Sequence, residues 1–358
     1  MSSSETAEEV PESFKKESSY DGSSQISPTN SPGMGQVTSS YYVPRVFHKF
    51  IDRSSLTSEF PCKLKFPLCG KSQDIRIAAE SQGTIDSVVG RINDIVTTTR
   101  PKLRPSHFIC LPIQDCTSVE TFKAFKLKVL KRAKENRLYE GIDEDLFTSE
   151  HRLHFTFATL LLVDQKEVEK ASRLLVSFFD ESEAGRELSS APLRITIRGL
   201  MSMQSNPDYS HVLYATVPKT SCYFLEQVQR DGDYGRLQAI ANAISSLYRQ
   251  YGLHSGAEQT PTAETDVKLH MTLMNSYNPL KKQLYRTRGP ERRRLKRRYF
   301  NATPLITEFG DLCFTEGTDF DVISLCRMHS GSPETFYATE AQLKLTETRP
   351  DTVEQCGD

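Results

Sequence analysis

Apolar residues recur along this chain with two different periods, and the periods predict where strands and helices lie. Short runs rich in β-branched and aromatic residues predict strands over residues 106–113, 193–200, 212–217, 311–314 and 321–328. Apolar residues spaced three or four positions apart predict amphipathic helices over residues 117–139, 164–179 and 221–251. Two further apolar runs, residues 153–161 and 267–274, each carry a histidine and also predict strands. This mixture predicts an α+β fold.

The order of the predicted elements repeats along the chain. In the first half, the strand over 106–113 and the helix over 117–139 precede the first histidine-bearing strand. In the second half, the strand over 212–217 and the helix over 221–251 precede the second one. A repeated order of elements predicts two related lobes, and we place this two-lobed domain at residues 104–340.

A smaller set of elements precedes that domain, over residues 41–100. Residues 43–51 predict a first helix, residues 62–66 and 74–78 alternate like strands, and residues 84–98 carry apolar side chains at helical spacing. The order predicts a small α/β module.

Polar tails flank the two predicted folded regions. The first forty residues hold twelve serines and few apolar groups, so they cannot offset the entropy lost on ordering. We therefore expect residues 1–40 to be disordered, and we expect a polar C-terminal tail over residues 341–358.

The remaining composition excludes several classes of protein. Runs of about 18 apolar residues and a signal-peptide core are both lacking, so we expect neither a membrane partner nor secretion. Eight cysteines occur without a Cys-x-x-Cys pair or a His/Cys ligand spacing, which predicts reduced thiols and no bound metal. A phosphate-binding Walker loop and a Gly-x-Ser-x-Gly elbow are also lacking. The sequence therefore predicts a protein of the cytosol or nucleus that needs no cofactor.

One short pattern, His-x-Thr followed by an apolar residue, occurs in both histidine-bearing strands. His154 and Thr156 stand in the first, and His270 and Thr272 stand in the second. Residues i and i+2 of a strand share a face, so each imidazole points into the same space as its hydroxyl. Two such strands side by side would therefore surround one pocket with two imidazoles and two hydroxyls.

That set of groups suits acid–base chemistry on a phosphate. An unperturbed imidazole pKa near ~6.5 lets one histidine take a proton from water or a 2′-hydroxyl while the other protonates the leaving oxygen. The threonine hydroxyls would donate hydrogen bonds to the non-bridging oxygens of a phosphodiester or a 2′,3′-cyclic phosphate. We therefore predict His154 and His270 as catalytic residues and Thr156 and Thr272 as phosphate-binding residues. The alternative for each histidine is a core residue with its hydrogen bonds satisfied, and the repetition argues against it.

Positive charge concentrates in one segment, although the net charge of the chain is −1. Eight cations stand within thirteen residues against one acid, Glu291: Arg286, Arg288, Arg292, Arg293, Arg294, Lys296, Arg297 and Arg298. Because this basic run follows the second histidine strand, we expect a loop or short helix at the edge of the cleft. The run predicts contact with a nucleic-acid backbone and nuclear import, and a merely solvated charge run is the alternative.

The paired motifs make the chain resemble the 2H phosphoesterase superfamily, whose members carry His-x-Thr or His-x-Ser on two pseudo-symmetric lobes. The resemblance covers roughly residues 41–340 and rests on four segments, residues 106–108, 152–156, 267–275 and 309–311. It implies antiparallel sheets with flanking helices. It also implies that His154, Thr156, His270 and Thr272 are the catalytic and phosphate-contacting positions.

The resemblance extends to members in which a KH domain precedes the phosphoesterase domain. It implies RNA or nucleotide phosphates as ligands, and a helicase and other subunits of a nuclear cointegrator complex as partners. It further implies roles in transcriptional coactivation and alkylation-damage repair. Residues 41–100 depart from the KH pattern, because Asp52 stands where the Gly-x-x-Gly loop expects a glycine. We therefore expect a degenerate KH-like module with weak or no sequence-specific RNA binding.

Two functions remain open on these grounds. The first is a metal-independent phosphodiesterase that acts on RNA ends, cyclic phosphates or similar nucleotides. The second is a non-catalytic subunit whose cleft binds a nucleotide or oligonucleotide for a nuclear complex. The two intact His-x-Thr motifs favour the first, and the missing Gly-x-x-Gly loop keeps the second open.

Overall fold

A computed structural model describes residues 36–68, 73–181, 183–218, 232–255, 266–332 and 334–345 of the chain. Within these ranges the chain divides into two compact units. The first takes residues 36–105, 161–168 and 247–255, and the second takes the rest of the described residues. Both His-x-Thr motifs and the basic run lie in the second unit.

The first unit contains a three-stranded antiparallel sheet. Its strands are β1 (Val37–Tyr42), β2 (Cys62–Lys65) and β3 (Asp74–Ala79), in the spatial order β1-β3-β2. Its helices are α1 (Arg45–His48), α2 (Arg53–Glu59) and α3 (Gln82–Thr99). Each of these six elements contributes to one core, with buried Tyr41, Phe47, Leu56, Leu64, Ile77 and Ile85.

Local signals in the sequence account for the helices of this unit. Helix α3 buries Ile85, Val88, Ile92 and Val96 along one stripe, and the Ser81 hydroxyl caps it by accepting from the Thr84 amide. The predicted helix over residues 43–51 is shorter than expected: α1 spans Arg45–His48, and a second helix, α2, follows the cap residue Asp52. Its carboxylate accepts a hydrogen bond from the Ser54 amide at 2.9 Å and caps α2. The acid at the expected glycine position is therefore a helix cap, and the KH-like module with weak RNA binding stays a prediction.

Two predicted tail boundaries are wrong. Strand β1 begins at Val37, inside the region expected to be disordered, and pairs Ser39 with Ile77 of β3. Serine is small enough to be buried at this paired position, so a serine-rich composition did not prevent a strand. A strand over Thr339–Lys344 likewise crosses the predicted start of the polar tail at residue 341. Residues 1–35 and 346–358 lie outside the described residues.

The second unit contains an eight-stranded antiparallel sheet in the order β11-β10-β4-β5-β8-β7-β6-β9. Its strands are β4 (His107–Pro112), β5 (His154–Leu160), β6 (Leu193–Ser202), β7 (Val212–Thr216), β8 (Met271–Asn275), β9 (Cys313–Phe320), β10 (Val322–Arg327) and β11 (Thr339–Lys344). The helices along this part of the chain are α4 (Cys116–Glu135), α5 (Gln165–Glu181), α6 (Glu183–Ser189), α7 (Gly232–Gln250), α8 (Tyr277–Arg286) and α9 (Thr303–Phe309). None of the described helices is long and apolar enough to cross a membrane.

The sheet has two halves of four strands, and the two histidine-bearing strands β5 and β8 meet at its centre. A strand, a long helix and a histidine-bearing strand follow one another in each half, as β4-α4-β5 and as β7-α7-β8. The predicted α+β fold with antiparallel sheets is confirmed. The second histidine strand starts later than predicted, at Met271, so His270 immediately precedes β8. Residues 221–231 of the predicted helix over 221–251 lie outside the described residues.

Aromatic packing fixes helix α4 on the core of the second unit. Phe122, Phe125 and Val129 are buried along one side of α4. The Phe125 ring meets the rings of Phe147, Phe309 and Phe314 edge-on, with centroids 6.2, 5.3 and 6.2 Å away. These contacts bury aromatic surface and orient the rings, so they hold the helix that connects β4 to the first histidine strand.

Candidate active site

Strands β5 and β8 bring the two His-x-Thr motifs together through one register pair. Phe155 lies opposite Met271. Antiparallel pairing then places His154 beside Thr272, and Thr156 beside His270. Phe155 and Met271 are fully buried on one face, whereas the four motif residues are partly exposed. Two imidazoles and two hydroxyls therefore form one cluster at the centre of the sheet.

Both histidines make the same hydrogen bond to the backbone two residues earlier. Nδ1 of His154 lies 2.7 Å from the Arg152 carbonyl oxygen, and Nδ1 of His270 lies 2.7 Å from the Lys268 carbonyl oxygen. A carbonyl only accepts, so each Nδ1 carries a proton and donates it. In the neutral ring Nε2 is then the basic nitrogen, which fixes the same tautomer at both positions.

Burial lowers the proton affinity of both rings. Desolvation lowers the pKa of His154 to about 4, helped by the neighbouring His270 and opposed by the hydrogen bond to Arg152. Desolvation also lowers the pKa of His270, and the Lys268 ammonium adds to the effect. Burial therefore favours the neutral form of both imidazoles in the free protein. A bound phosphate would raise both pKa values, because its negative charge favours imidazolium.

An aromatic wall surrounds His154. The rings of Phe108, Tyr337 and Phe336 lie with centroids 5.1, 5.7 and 6.4 Å from its own. Phe108 comes from the neighbouring strand β4, and the other two follow β10 along the chain. This wall supplies the apolar surroundings that depress the pKa of His154.

Arg152 holds the segment that carries this wall, residues 328–332 and 334–337, which we call the aromatic loop. Its guanidinium donates to the carbonyl oxygens of Ser330, Ser332 and Thr335 at 2.9, 2.7 and 3.3 Å, and lies over the Tyr337 ring at 4.5 Å. Gly331 has φ +70° within the loop, and a Cβ there would lie 2.8 Å from the Phe336 oxygen. Sequence reasoning missed Arg152 as a positioning residue, although it stands two residues before His154.

The wall of His270 is simpler. The Tyr214 ring of β7 meets the His270 ring edge-on at 5.6 Å, and the Lys268 ammonium lies 5.1 Å from the Tyr214 centroid. Tyr214 is the register partner of Thr272, so the aromatic side chain comes from the neighbouring strand, as Phe108 does beside His154. This half has no counterpart to the aromatic loop among the described ring contacts of His270.

The basic run is exposed and lies at the other end of β8. A short 3₁₀ helix spans Gly289–Arg294 and an extended segment follows it. Arg297 is bonded rather than free: it donates to Ser276 Oγ at 2.9 Å, to Asn275 Oδ1 at 2.8 Å and to the His211 oxygen at 3.2 Å. Asn275 is three residues beyond Thr272, about 10 Å along the strand. The structure therefore does not bring the cations into the histidine cluster itself.

Metal-ligating side chains are scattered over the described residues. Across the described ranges, three or more His, Cys, Asp or Glu residues do not come close enough together anywhere to hold a metal ion. The four motif residues, Arg152 and the aromatic side chains are thus the groups that the described structure places at this site.

Comparisons with known proteins agree with this geometry. Residues 105–345, about two thirds of the chain, match the family described as the AKAP7 2′5′ RNA ligase-like domain. The chain is also similar to Activating signal cointegrator 1 complex subunit 1 of Mus musculus, with 25% identity over 228 residues. That alignment covers 63% of this chain and 57% of the mouse protein. Because the family match includes both strands and all four motif residues, the chain belongs to the AKAP7 2′5′ RNA ligase-like domain family of phosphoesterases.

Proposed function

We propose that this protein is a metal-independent phosphodiesterase that cleaves a phosphoester of RNA or of a nucleotide by proton transfer through His154 and His270. The observation that carries the proposal is the matched pair of Nδ1 hydrogen bonds to Arg152 and Lys268. Because both rings are fixed in one tautomer, Nε2 of each is the atom that exchanges a proton with substrate. A core histidine needs no such matched arrangement beside a second one.

The two halves of the site suit different roles. His154 has the more strongly depressed pKa, so it stays neutral and accepts the proton of the attacking water or 2′-hydroxyl. The negative charge of a bound phosphate raises the pKa of His270, so that this ring takes a proton from solvent and then gives it to the leaving oxygen. Thr156 and Thr272 donate hydrogen bonds to the non-bridging oxygens, where negative charge concentrates in the transition state. After the reaction His154 is protonated and His270 neutral, so exchange with water restores the starting state.

A second candidate is that the cleft binds a nucleotide without cleaving it. The name of the mouse relative, a complex subunit, is the observation that favours this candidate. We extend the proposal to a place for this chain in such a cointegrator complex, with a helicase among its partners and a role in transcription and alkylation repair.

The exposed basic run would direct the protein to the nucleus. A fluorescent fusion with Arg292, Arg293 and Arg294 changed to Gln should therefore lose nuclear accumulation.

Hydrolysis of a small substrate panel in the presence of a chelator tests the proposal. The panel contains 2′,3′-cyclic nucleotides, 2′–5′ oligoadenylate and 3′-uridylated RNA, and the variants are His154→Ala and His270→Ala. Each substitution should lower turnover by about 10²–10⁴-fold, and the double variant should lose little more, because the two residues act as one unit.

The matched control is His151→Ala, which removes a partly exposed histidine of the short 3₁₀ turn Glu150–Arg152. It should retain wild-type turnover. A wild-type protein that binds a ligand of the panel without cleaving it would support the second candidate. Equal turnover of wild type and both site variants would contradict the two-histidine mechanism.

A further inference from the structure

Two exposed tyrosines form a pair next to the basic run. Tyr209 is 54% exposed and Tyr299 is 59% exposed, and their ring centroids lie 4.8 Å apart with 70° between the planes. An edge-to-face pair leaves ring faces open to solvent. Neither ring belongs to the buried core of the second unit or to the described walls of the histidines.

The backbone under this pair is fixed. The residues that follow the two tyrosines, Ser210 and Phe300, exchange two backbone hydrogen bonds of 3.0 and 2.9 Å. The Ala302 amide donates to the Pro207 oxygen at 2.8 Å on one side. On the other side His211 Nδ1 lies 3.0 Å from the Arg298 oxygen. The rings are therefore held in a preset arrangement, which reduces the entropy lost when a ligand binds.

Cations border the tyrosine pair. Arg297 donates hydrogen bonds to Asn275, Ser276 and His211 and so holds the chain that leads to Tyr299. Lys296 and Arg298, on either side of Arg297, have exposed side chains. Arg292 and Arg294 of the preceding 3₁₀ helix are also exposed. One acid lies next to Tyr209: Asp208 accepts a hydrogen bond from Thr303 Oγ1 at 2.5 Å. The segment that leads into Tyr299 is therefore strongly positive and exposed.

The strand register places this surface on the same sheet face as the histidine cluster. Tyr214 is the partner of Thr272 and its ring meets His270, so this side of β7 faces the cluster. Val212 is two residues before Tyr214 and so points to the same side of β7. The register with β8 shifts by one residue between Leu213 and Tyr214, so Thr272 and Asn275, although three residues apart, both pair with residues on that side of β7. The partner of Val212 is Asn275, whose side chain accepts from Arg297. Arg297 therefore contacts β8 at a point about 10 Å along the strand from Thr272.

We propose that Tyr209 and Tyr299, with Arg292, Arg294, Lys296 and Arg298, form a binding platform for single-stranded RNA. An unpaired base stacks on an open tyrosine face while the cations hold the flanking phosphates. Bound there, the strand leads along β8 toward the histidines. Only this last step rests on the proposed function; it makes an RNA strand of several nucleotides, rather than a mononucleotide, the preferred substrate.

Binding of a labelled 12-nucleotide single-stranded RNA to the full chain, measured by fluorescence anisotropy at several salt concentrations, tests the platform. Tyr209→Ala and Tyr299→Ala should each raise Kd by about 5- to 100-fold, because stacking on one aromatic ring is lost. The corresponding Phe variants should keep wild-type affinity. Changing the four cations to Gln should lower the slope of log K against log salt by about 3, since each phosphate contact contributes about 0.7 on a single strand.

Matched controls come from helix α4, which carries exposed side chains of the same kinds. Leu127→Ala removes an exposed apolar side chain, and Lys128→Gln with Lys131→Gln removes exposed charge. These controls should leave binding unchanged, and all variants should keep the wild-type melting temperature. Affinity for duplex RNA, or for an acidic peptide, equal to that for the single strand would overturn the platform, because neither ligand offers an unpaired base.

The same variants separate the platform from the catalytic proposal. His154→Ala should bind the 12-mer like the wild type but fail to turn it over. Tyr299→Ala should raise KM for the 12-mer and leave kcat/KM for a 2′,3′-cyclic mononucleotide unchanged. Unchanged RNA affinity in both tyrosine variants would contradict the platform without affecting the two-histidine mechanism. Lost RNA affinity in the tyrosine variants, together with a wild-type protein that turns over no substrate, would support the platform and contradict the mechanism.

Discussion

The two halves of the candidate active site carry the same motif and the same Nδ1 hydrogen bond, but they differ in what surrounds the imidazole. His154 lies among Phe108, Phe336 and Tyr337, and its pKa falls to about 4. His270 meets one ring, Tyr214, and stands beside the exposed Lys268. The motif and its backbone hydrogen bond therefore fix the tautomer and orientation of each imidazole, while the surrounding aromatic side chains set its pKa. In the proposed mechanism, that difference assigns the base to His154 and the acid to His270.

The largest expected effect comes from changing the leaving group. With an alkyl leaving group, His154→Gln and His270→Gln should each lower kcat by about 10²–10⁴-fold. With a p-nitrophenyl phosphodiester, His270→Gln should lose less than about 10-fold, because p-nitrophenolate departs without a proton and general acid catalysis is not needed. His154→Gln should stay fully impaired. The opposite pattern would exchange the roles of the two halves.

The next largest expected effect on kcat concerns the threonine hydroxyls, which occupy equivalent positions in the two motifs. Thr156→Val and Thr272→Val keep the side-chain shape and remove one donor each, so each should lower kcat by about 10²–10³-fold. Steady-state kinetics on the best substrate of the panel measures it. Thr→Ser at either position keeps the donor and should remain active. A serine variant as impaired as the valine variant would show that the methyl group, not the hydroxyl, is what matters.

The walls themselves are testable through the proton affinity of each ring. Tyr337→Ala should open the wall of His154 and move its pKa from about 4 toward 6.5, because desolvation is the main cause of the shift. The limb of the kcat/KM profile that reports the base should move to higher pH with it. Side-chain NMR titration measures the pKa directly, and the His270 resonance serves as the internal reference.

The matched change in the other half is Tyr214→Ala. It should raise the pKa of His270, whose shift also comes mainly from desolvation, and leave His154 near its own value. If Tyr337→Ala moved both pKa values equally, the two walls would not act independently, and the assignment of base and acid by local burial would fail.

The smallest expected effect is on stability against pH. The pKa of His154 is lower in the folded state than the ordinary value of 6.5, so the unfolded chain binds more protons below that value. Stability should therefore fall as pH drops from 6.5 toward 4. After allowance for solvent screening of a partly exposed ring, we expect about 1 kcal/mol lost by pH 5.

Thermal unfolding at pH 7 and pH 5 measures that loss. His154→Gln should lose less melting temperature between the two values than wild type does. Thr272→Val, which removes a site hydroxyl and no titrating group, should keep the wild-type dependence. Equal losses in the His154 variant and wild type would mean that burial of this ring does not depress its pKa.

Local patterns were sufficient to predict most elements of the fold. The apolar spacing in residues 117–139 gave helix α4, and the repeated order of elements indicated two related halves. Predictions were wrong where a partner from elsewhere in the chain decided the outcome. Val37 and Ser39 joined a strand because β3 was available to pair with them. The Asp52 cap is by contrast a local signal, because its carboxylate accepts from the Ser54 amide two residues later.

The sequence by itself determined the residue types and spacing of the site: two His-x-Thr motifs in apolar strands, and a run of cations after the second. Strand alternation alone puts each imidazole beside its hydroxyl. Only the tertiary structure decided that β5 and β8 are neighbours, that Arg152 holds the aromatic loop, and that Arg297 is bound to Asn275. The physical reason is that the pKa shift of a buried ring and the hydrogen bonds of an arginine depend on groups brought together from distant parts of the chain. A local sequence pattern does not encode which groups those are.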